Sequence, residues 1–198
     1  MIANEHTFTI NTSIDRVWDY VEDIRGWASI FPGYQDCSLI NDNDSEWTIK
    51  VSAAGVTRTD NVKVHVEQWN GPERVDFVFD VDDLPVEGNG TYTASACGTN
   101  QTEVTLKVCI IGSGPMAPMW EAVGTPLLPE FVKGFAAKLK AEIEYVTGVG
   151  TVSAADTAFA LPVIKGVIRS TVAALTLWIK GLLGFAPKHI EKEKEGTS

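Results

Sequence analysis

Three histidines and three cysteines are the side chains of this sequence best suited to nucleophilic, acid–base or metal chemistry. His6 opens the alternating segment HTFTIN, His65 lies opposite Val62, Val64 and Val66 in another alternating run, and His189 belongs to a charged tail. None adjoins a Ser or Cys in a nucleophile motif, and neither HExxH nor a paired-histidine pattern occurs. Cys37, Cys97 and Cys109 are odd in number and have no metal-like spacing, so they read as small buried or half-buried thiols. The segment GSGP (Gly112 to Pro115) has a phosphate loop's glycines without its following Lys and Ser/Thr, which leaves a strand-to-helix turn. Asp80, Asp82 and Asp83 are too few and wrongly spaced for a calcium loop and read as a solvated turn. These residues support no catalytic set, no metal site and no resident cofactor, and the expectation is a protein that is not an enzyme.

The elements that would position any site can be read from periodicity. HTFTIN places Phe8 and Ile10 on one face of a strand. In TSIDRVWDYVEDI, Ile14, Val17, Trp18 and Val21 follow helical spacing, with Thr12 or Ser13 available as the cap. A short helical turn around RGWASIF follows, and Pro32-Gly33 breaks it. Strands then fill roughly 34–111. One face collects Trp47, Ile49 and Val51, then Val62, Val64 and Val66, then Val75, Phe77, Phe79 and Val81, and finally Val104, Leu106, Val108 and Ile110. VEGNGTYTASA is small and polar, with Tyr92 as its one large residue. Such a meander has one greasy face, and something must cover it. The cover is a long helix whose stripe runs through Phe131, Val132, Phe135, Ala136, Leu139 and Ile143. Pro126 and Pro129 predict a kink or break in its N-terminal part.

The order and spacing of FTINTSIDRVWDYVEDIRGWASIFPG, followed by the strand run and the long helix, resemble the helix-grip domains of the START/polyketide cyclase (SRPBCC) superfamily. Within it the chain is most similar to the carbon monoxide dehydrogenase G-subunit family, through Val17-Trp18, Asp23, Trp27 and Phe31-Pro32-Gly33. The resemblance covers residues 1–147. It implies an α+β helix-grip fold, a curved antiparallel sheet wrapped around a long C-terminal helix with a hydrophobic cavity between them. It also implies a lipophilic, non-covalent ligand such as a quinone, and a molybdenum hydroxylase-type redox enzyme as partner. Trp27, Phe31, Phe77, Phe79, Tyr92, Met116, Met119, Trp120, Leu127, Leu128 and Phe131 would line the cavity. Singly, each is equally well a core residue. Tyr92 alone brings a polar tip, suited to donate to a ligand carbonyl. The superfamily also contains enzymes, so a cyclase or dehydratase using the same cavity is the alternative, as is a membrane anchor for a partner enzyme without ligand.

Charge divides the chain. The net charge is −10. Residues 1–156 hold 23 acidic and 10 basic residues, whereas 157–188 hold Lys165, Arg169, Lys180 and Lys188 and no acid. An acidic body without a basic stripe argues against nucleic acid as a partner. A membrane-spanning helix needs about 20 mostly apolar residues. Here the uncharged run between Arg169 and Lys180 is only Ser170 to Ile179. At about 100° per residue, Lys165, Arg169 and Lys180 fall within about 60° of one another. Trp178 and Phe185 lie outside that stripe. Such a helix lies in a headgroup plane or docks on a partner, although packing on its own domain fits the stripe too. The reading is therefore a helix-grip domain over 1–147, a linker over 148–157, an amphipathic docking segment over 158–187 and a charged tail over 188–198. No signal-peptide pattern opens the chain, so the expected location is cytoplasmic, peripheral at the inner face of the cell membrane.

Overall fold

Alternation of apolar and polar residues dictates a sheet, and helical spacing at both ends of it supplies the cover. The computed structural model describes residues 1–53 and 56–150, with the side chains of residues 51–57, Met116, Met119, Trp120 and Val123 outside that description. Strand β1 (Ile2–Ile10) leads into α1 (Ile14–Val21) and α2 (Ile24–Ile30). Six strands follow: β2 (Tyr34–Leu39), β3 (Asp44–Ala53), β4 (Val56–Asn70), β5 (Arg74–Val81), β6 (Val86–Gly98) and β7 (Gln101–Gly112). A single 3₁₀ turn (Gly114–Met116) then opens α3 (Ala117–Val146). The strands form one curved antiparallel sheet in the order β1-β7-β6-β5-β4-β3-β2. Register shifts at Tyr34/Asp36, Val66/Gln68 and Ala96/Gly98 add an extra residue to one strand of a pair, which bends and twists the sheet.

Helix α3 lies across the concave face. Val132, Ala136, Leu139 and Ile143, spaced by three and four residues, are buried against the sheet. Its C-terminal end is clamped: Lys140 Nζ donates to the Thr9 carbonyl at 2.7 Å. Glu144 Oε1 accepts from the Asn11 backbone N–H at 2.9 Å and from Asn11 Nδ2 at 2.7 Å. The helix stops at Gly148, whose φ of 75° lets the Val149 N–H turn back to the Glu144 carbonyl at 2.8 Å.

Four expectations need correction. Pro126 and Pro129 do not break α3, which runs through both. Both prolines are exposed, so their rings disturb no packing against the sheet, and each costs the helix about 3 kcal/mol that its docked face must offset. Strand β1 begins at Ile2 instead of His6, and His6 is half-buried, its ring stacked 6.0 Å from Phe8. Ser13 is the α1 cap residue but its side chain makes no capping bond, while Thr12 is buried and its carbonyl accepts from Thr102 Oγ1 at 2.8 Å. Cys97 is exposed, whereas Cys37 and Cys109 are half-buried. The linker beyond residue 150, the docking segment 158–187 with Lys165, Arg169, Trp178, Lys180 and Phe185, and the tail 188–198 lie outside the described residues.

A candidate ligand cavity

The interior between sheet and helix is not filled. A cavity of about 430 Å³ lies there, within the 300–1,000 Å³ range of small-molecule sites. Its lining is almost wholly hydrocarbon. Of the side chains expected to line it, Trp27, Phe31, Phe77, Phe79, Tyr92, Leu127, Leu128 and Phe131 do so. The side chains of Met116, Met119 and Trp120 are outside the description. Sequence reasoning missed Trp47, Ile49, Asp60 and Val62 from β3 and β4, Leu84 and Val86 around the β5–β6 turn, and Gly124 and Phe135 from α3. The signal existed for most of them: all but Asp60, Leu84, Val86 and Gly124 fall on apolar stripes already visible in the sequence.

Glycine and aromatic residues shape the floor. Phe77 pairs with Gly90 and Phe79 with Gly88 across β5 and β6. A Cβ on Gly90 would stand 2.2 Å from Phe77 Cζ, and one on Gly88 2.3 Å from Phe79 Cζ. The missing side chains let both rings lie across β6. Trp27 is held in place by its Nε1, which donates to the Val21 carbonyl at 2.7 Å, and its ring sits 5.8 Å from both Phe77 and Trp69. Phe31 closes the gap between sheet and helix, with ring centroids 5.6 Å from Trp47, 5.1 Å from Phe131 and 6.4 Å from Phe135.

Among the described residues Asp60, Thr91, Tyr92 and Lys107 are the polar ones in the lining, and two of them, Tyr92 and Asp60, form polar stations. Tyr92 is 3% exposed, and its hydroxyl is the one fully buried side-chain polar atom without a hydrogen-bond partner among the described residues. Burial alone pushes its pKa up, so the group is a neutral donor. Leaving such a hydroxyl unpaired costs about 1–3 kcal/mol, a cost that a ligand acceptor would remove. The other station is Asp60, whose Oδ1 accepts from Arg58 Nε. Asp60 lines the cavity, its side chain 12% exposed, with that of Arg58 at 32%. Both fall on the inward side of β4 because they share parity with Val62 and Val64. Among the described residues no group of three or more His, Cys, Asp and Glu could hold a metal ion, and no helix is long and apolar enough to cross a membrane.

A curved antiparallel sheet closed over one long helix around an apolar hollow is the helix-grip fold. Residues 1–144 match the family described as polyketide cyclase/dehydrase and lipid transport, and the chain belongs to that family. No curated protein matches it. Solved structures share the fold at low identity. A conserved protein from Geobacillus kaustophilus superposes with a TM-score of 0.64 at 14% identity, over 73% of this chain and 96% of its own. A START superfamily protein from Mycobacterium smegmatis gives 0.58 at 14%, over 73% and 98%. The di-domain ARO/CYC protein of the steffimycin biosynthetic pathway gives 0.52 at 12%, over 73% of this chain and 46% of that one.

Proposed function

We propose that this protein is a carrier for a lipophilic small molecule, with a quinone as cargo, working at the inner face of the cell membrane beside a redox enzyme of the molybdenum hydroxylase kind. One observation carries the binding half: an apolar cavity of about 430 Å³ with a single unpartnered, buried hydroxyl on Tyr92. A quinone ring matches the aromatic lining, and its carbonyl oxygen gives the Tyr92 hydroxyl an acceptor. Moving from lipid into such a cavity nearly cancels the solvation penalty of crossing water. The membrane half is supported by the sequence of 158–187, with its one stripe of Lys165, Arg169 and Lys180 and its aromatic Trp178 and Phe185. The redox partner is supported by the likeness of Val17-Trp18, Asp23, Trp27 and Phe31-Pro32-Gly33 to the G-subunit family of carbon monoxide dehydrogenase.

The test is mass spectrometry of an organic extract of the full chain, purified from cells with its membranes present. A stoichiometric isoprenoid quinone is the expected result, and an extract with no bound lipid counts against the proposal.

A second reading, a cyclase- or dehydratase-type enzyme, is favoured by Asp60 in the cavity lining, paired with Arg58. A dehydration needs a base to take one proton and an acid to protonate the leaving hydroxyl, each within hydrogen-bond reach. Among the described lining residues the other titratable side chains are Tyr92 and Lys107. Tyr92 lies two strands away and Lys107 is an exposed residue of β7, so the carrier reading is preferred.

A further inference from the structure

The register of the sheet sets the two polar stations at opposite ends of the cavity. Tyr92 pairs with Val75, and Val75 with Trp69, nine residues along β4 from Asp60. That is about 30 Å of strand contour, shortened through space by the sheet's curvature. Exposure follows the same direction, from 3% at Tyr92 to 32% at the Arg58 side chain. The pair therefore lies nearer solvent than the hydroxyl. Of the two, Asp60 lines the cavity and Arg58 stands behind it. Arg58 Nε takes Asp60 Oδ1, and Oδ2 remains as an acceptor.

We infer that the Asp60 carboxylate, seated by Arg58, is a recognition site for a hydrogen-bond donor on the ligand, a hydroxyl or amine carried at the end opposite the group that meets Tyr92. The ligand class is then an elongated apolar molecule with an acceptor at its Tyr92 end and a donor at the other. A ligand that ends in a carboxylate is disfavoured there, because it repels the Asp60 carboxylate and brings no donor to it. A quinone meets both stations only if its far end carries a donor. This rests on the cavity reading above but not on the quinone as cargo.

The test uses the full chain loaded with the fluorescent apolar dye N-phenylnaphthylamine, displaced by dodecanol, dodecylamine or dodecanoic acid. Dodecanol and dodecylamine are expected to displace the dye at concentrations about tenfold below dodecanoic acid, the size of one charge-assisted hydrogen bond. Asp60→Asn is expected to erase most of that difference and Asp60→Glu to keep it. Equal displacement by all three compounds overturns the inference and leaves the cavity reading standing. So does an equal loss of preference in Asp60→Asn and Asp60→Glu, which would mark a structural role. Absence of saturable dye binding to the unaltered protein overturns the cavity reading and this inference together.

Discussion

Tyr92 concentrates the chemistry of the site in one atom. Its hydroxyl is buried without a partner in the protein, so removing it relieves a penalty instead of breaking a bond. Tyr92→Phe is expected to leave the ligand-free protein as stable as before or more stable by about 1 kcal/mol in chemical denaturation. The same change is expected to weaken binding of a carbonyl-bearing ligand about tenfold. A loss of stability in Tyr92→Phe would mean that the hydroxyl has a structural partner. Tyrosines also set the alkaline limit. Burial, reinforced by Glu142, pushes Tyr20 from 10.0 to about 12, and burial pushes Tyr92 up as well. The folded protein therefore holds protons that the unfolded chain releases, and the contribution of these two tyrosines is full below pH 10.0 and falls as pH rises toward about 12. Tyr20→Phe and Tyr92→Phe should each flatten that fall, measured as melting temperature against pH.

At the scale of elements, β5, β6 and α3 decide how much room there is. Gly90→Ala would drive a methyl against the Phe77 ring and push that ring into the hollow. It is expected to cost about 1–3 kcal/mol and to weaken dye binding. Along α3 the two halves should respond differently. Ile143, fully buried where sheet and helix touch, should cost about 2–5 kcal/mol as Ile143→Ala. Leu127 already faces empty space, so Leu127→Ala should cost less than half as much. Equal costs would indicate that the region around Leu127 is packed solid.

The same elements show where sequence reading reaches and where it stops. Val62, Val64 and Val66, and Phe77 and Phe79, announce their faces by alternation, and the α3 stripe from Val132 to Ile143 is legible by spacing. Arg58 and Asp60 were not, because charge on a strand is taken as solvent-facing unless parity with Val62 is followed past the end of the apolar run. Gly88 and Gly90 read as a weak strand, since only the cross-strand register reveals the phenyl rings that need their space. Continuity of α3 through Pro126 and Pro129 depends on both prolines pointing to water, which follows from the docked orientation of the helix and not from the helix's own sequence.

The whole molecule couples an acidic, hollow domain to a basic apolar segment. Residues 1–156 carry 23 acids against 10 bases, while 157–188 carry four cations and no acid. Repulsion between the domain and an anionic bilayer would hold the body off the surface while the segment holds on. Deleting residues 157–198 is expected to abolish co-sedimentation with anionic vesicles and to leave dye binding by the domain unchanged. Retained sedimentation would place the membrane contact on the domain itself. The central claim is that the hollow between sheet and helix takes up an apolar ligand. Trp27 and Trp47 line it, so titrating the full chain with a short-tailed benzoquinone while following tryptophan fluorescence tests that claim most directly. Saturable quenching at one quinone per chain is the expected result. Quenching that grows in proportion to quinone and never saturates, as for free tryptophan in solution, would contradict it.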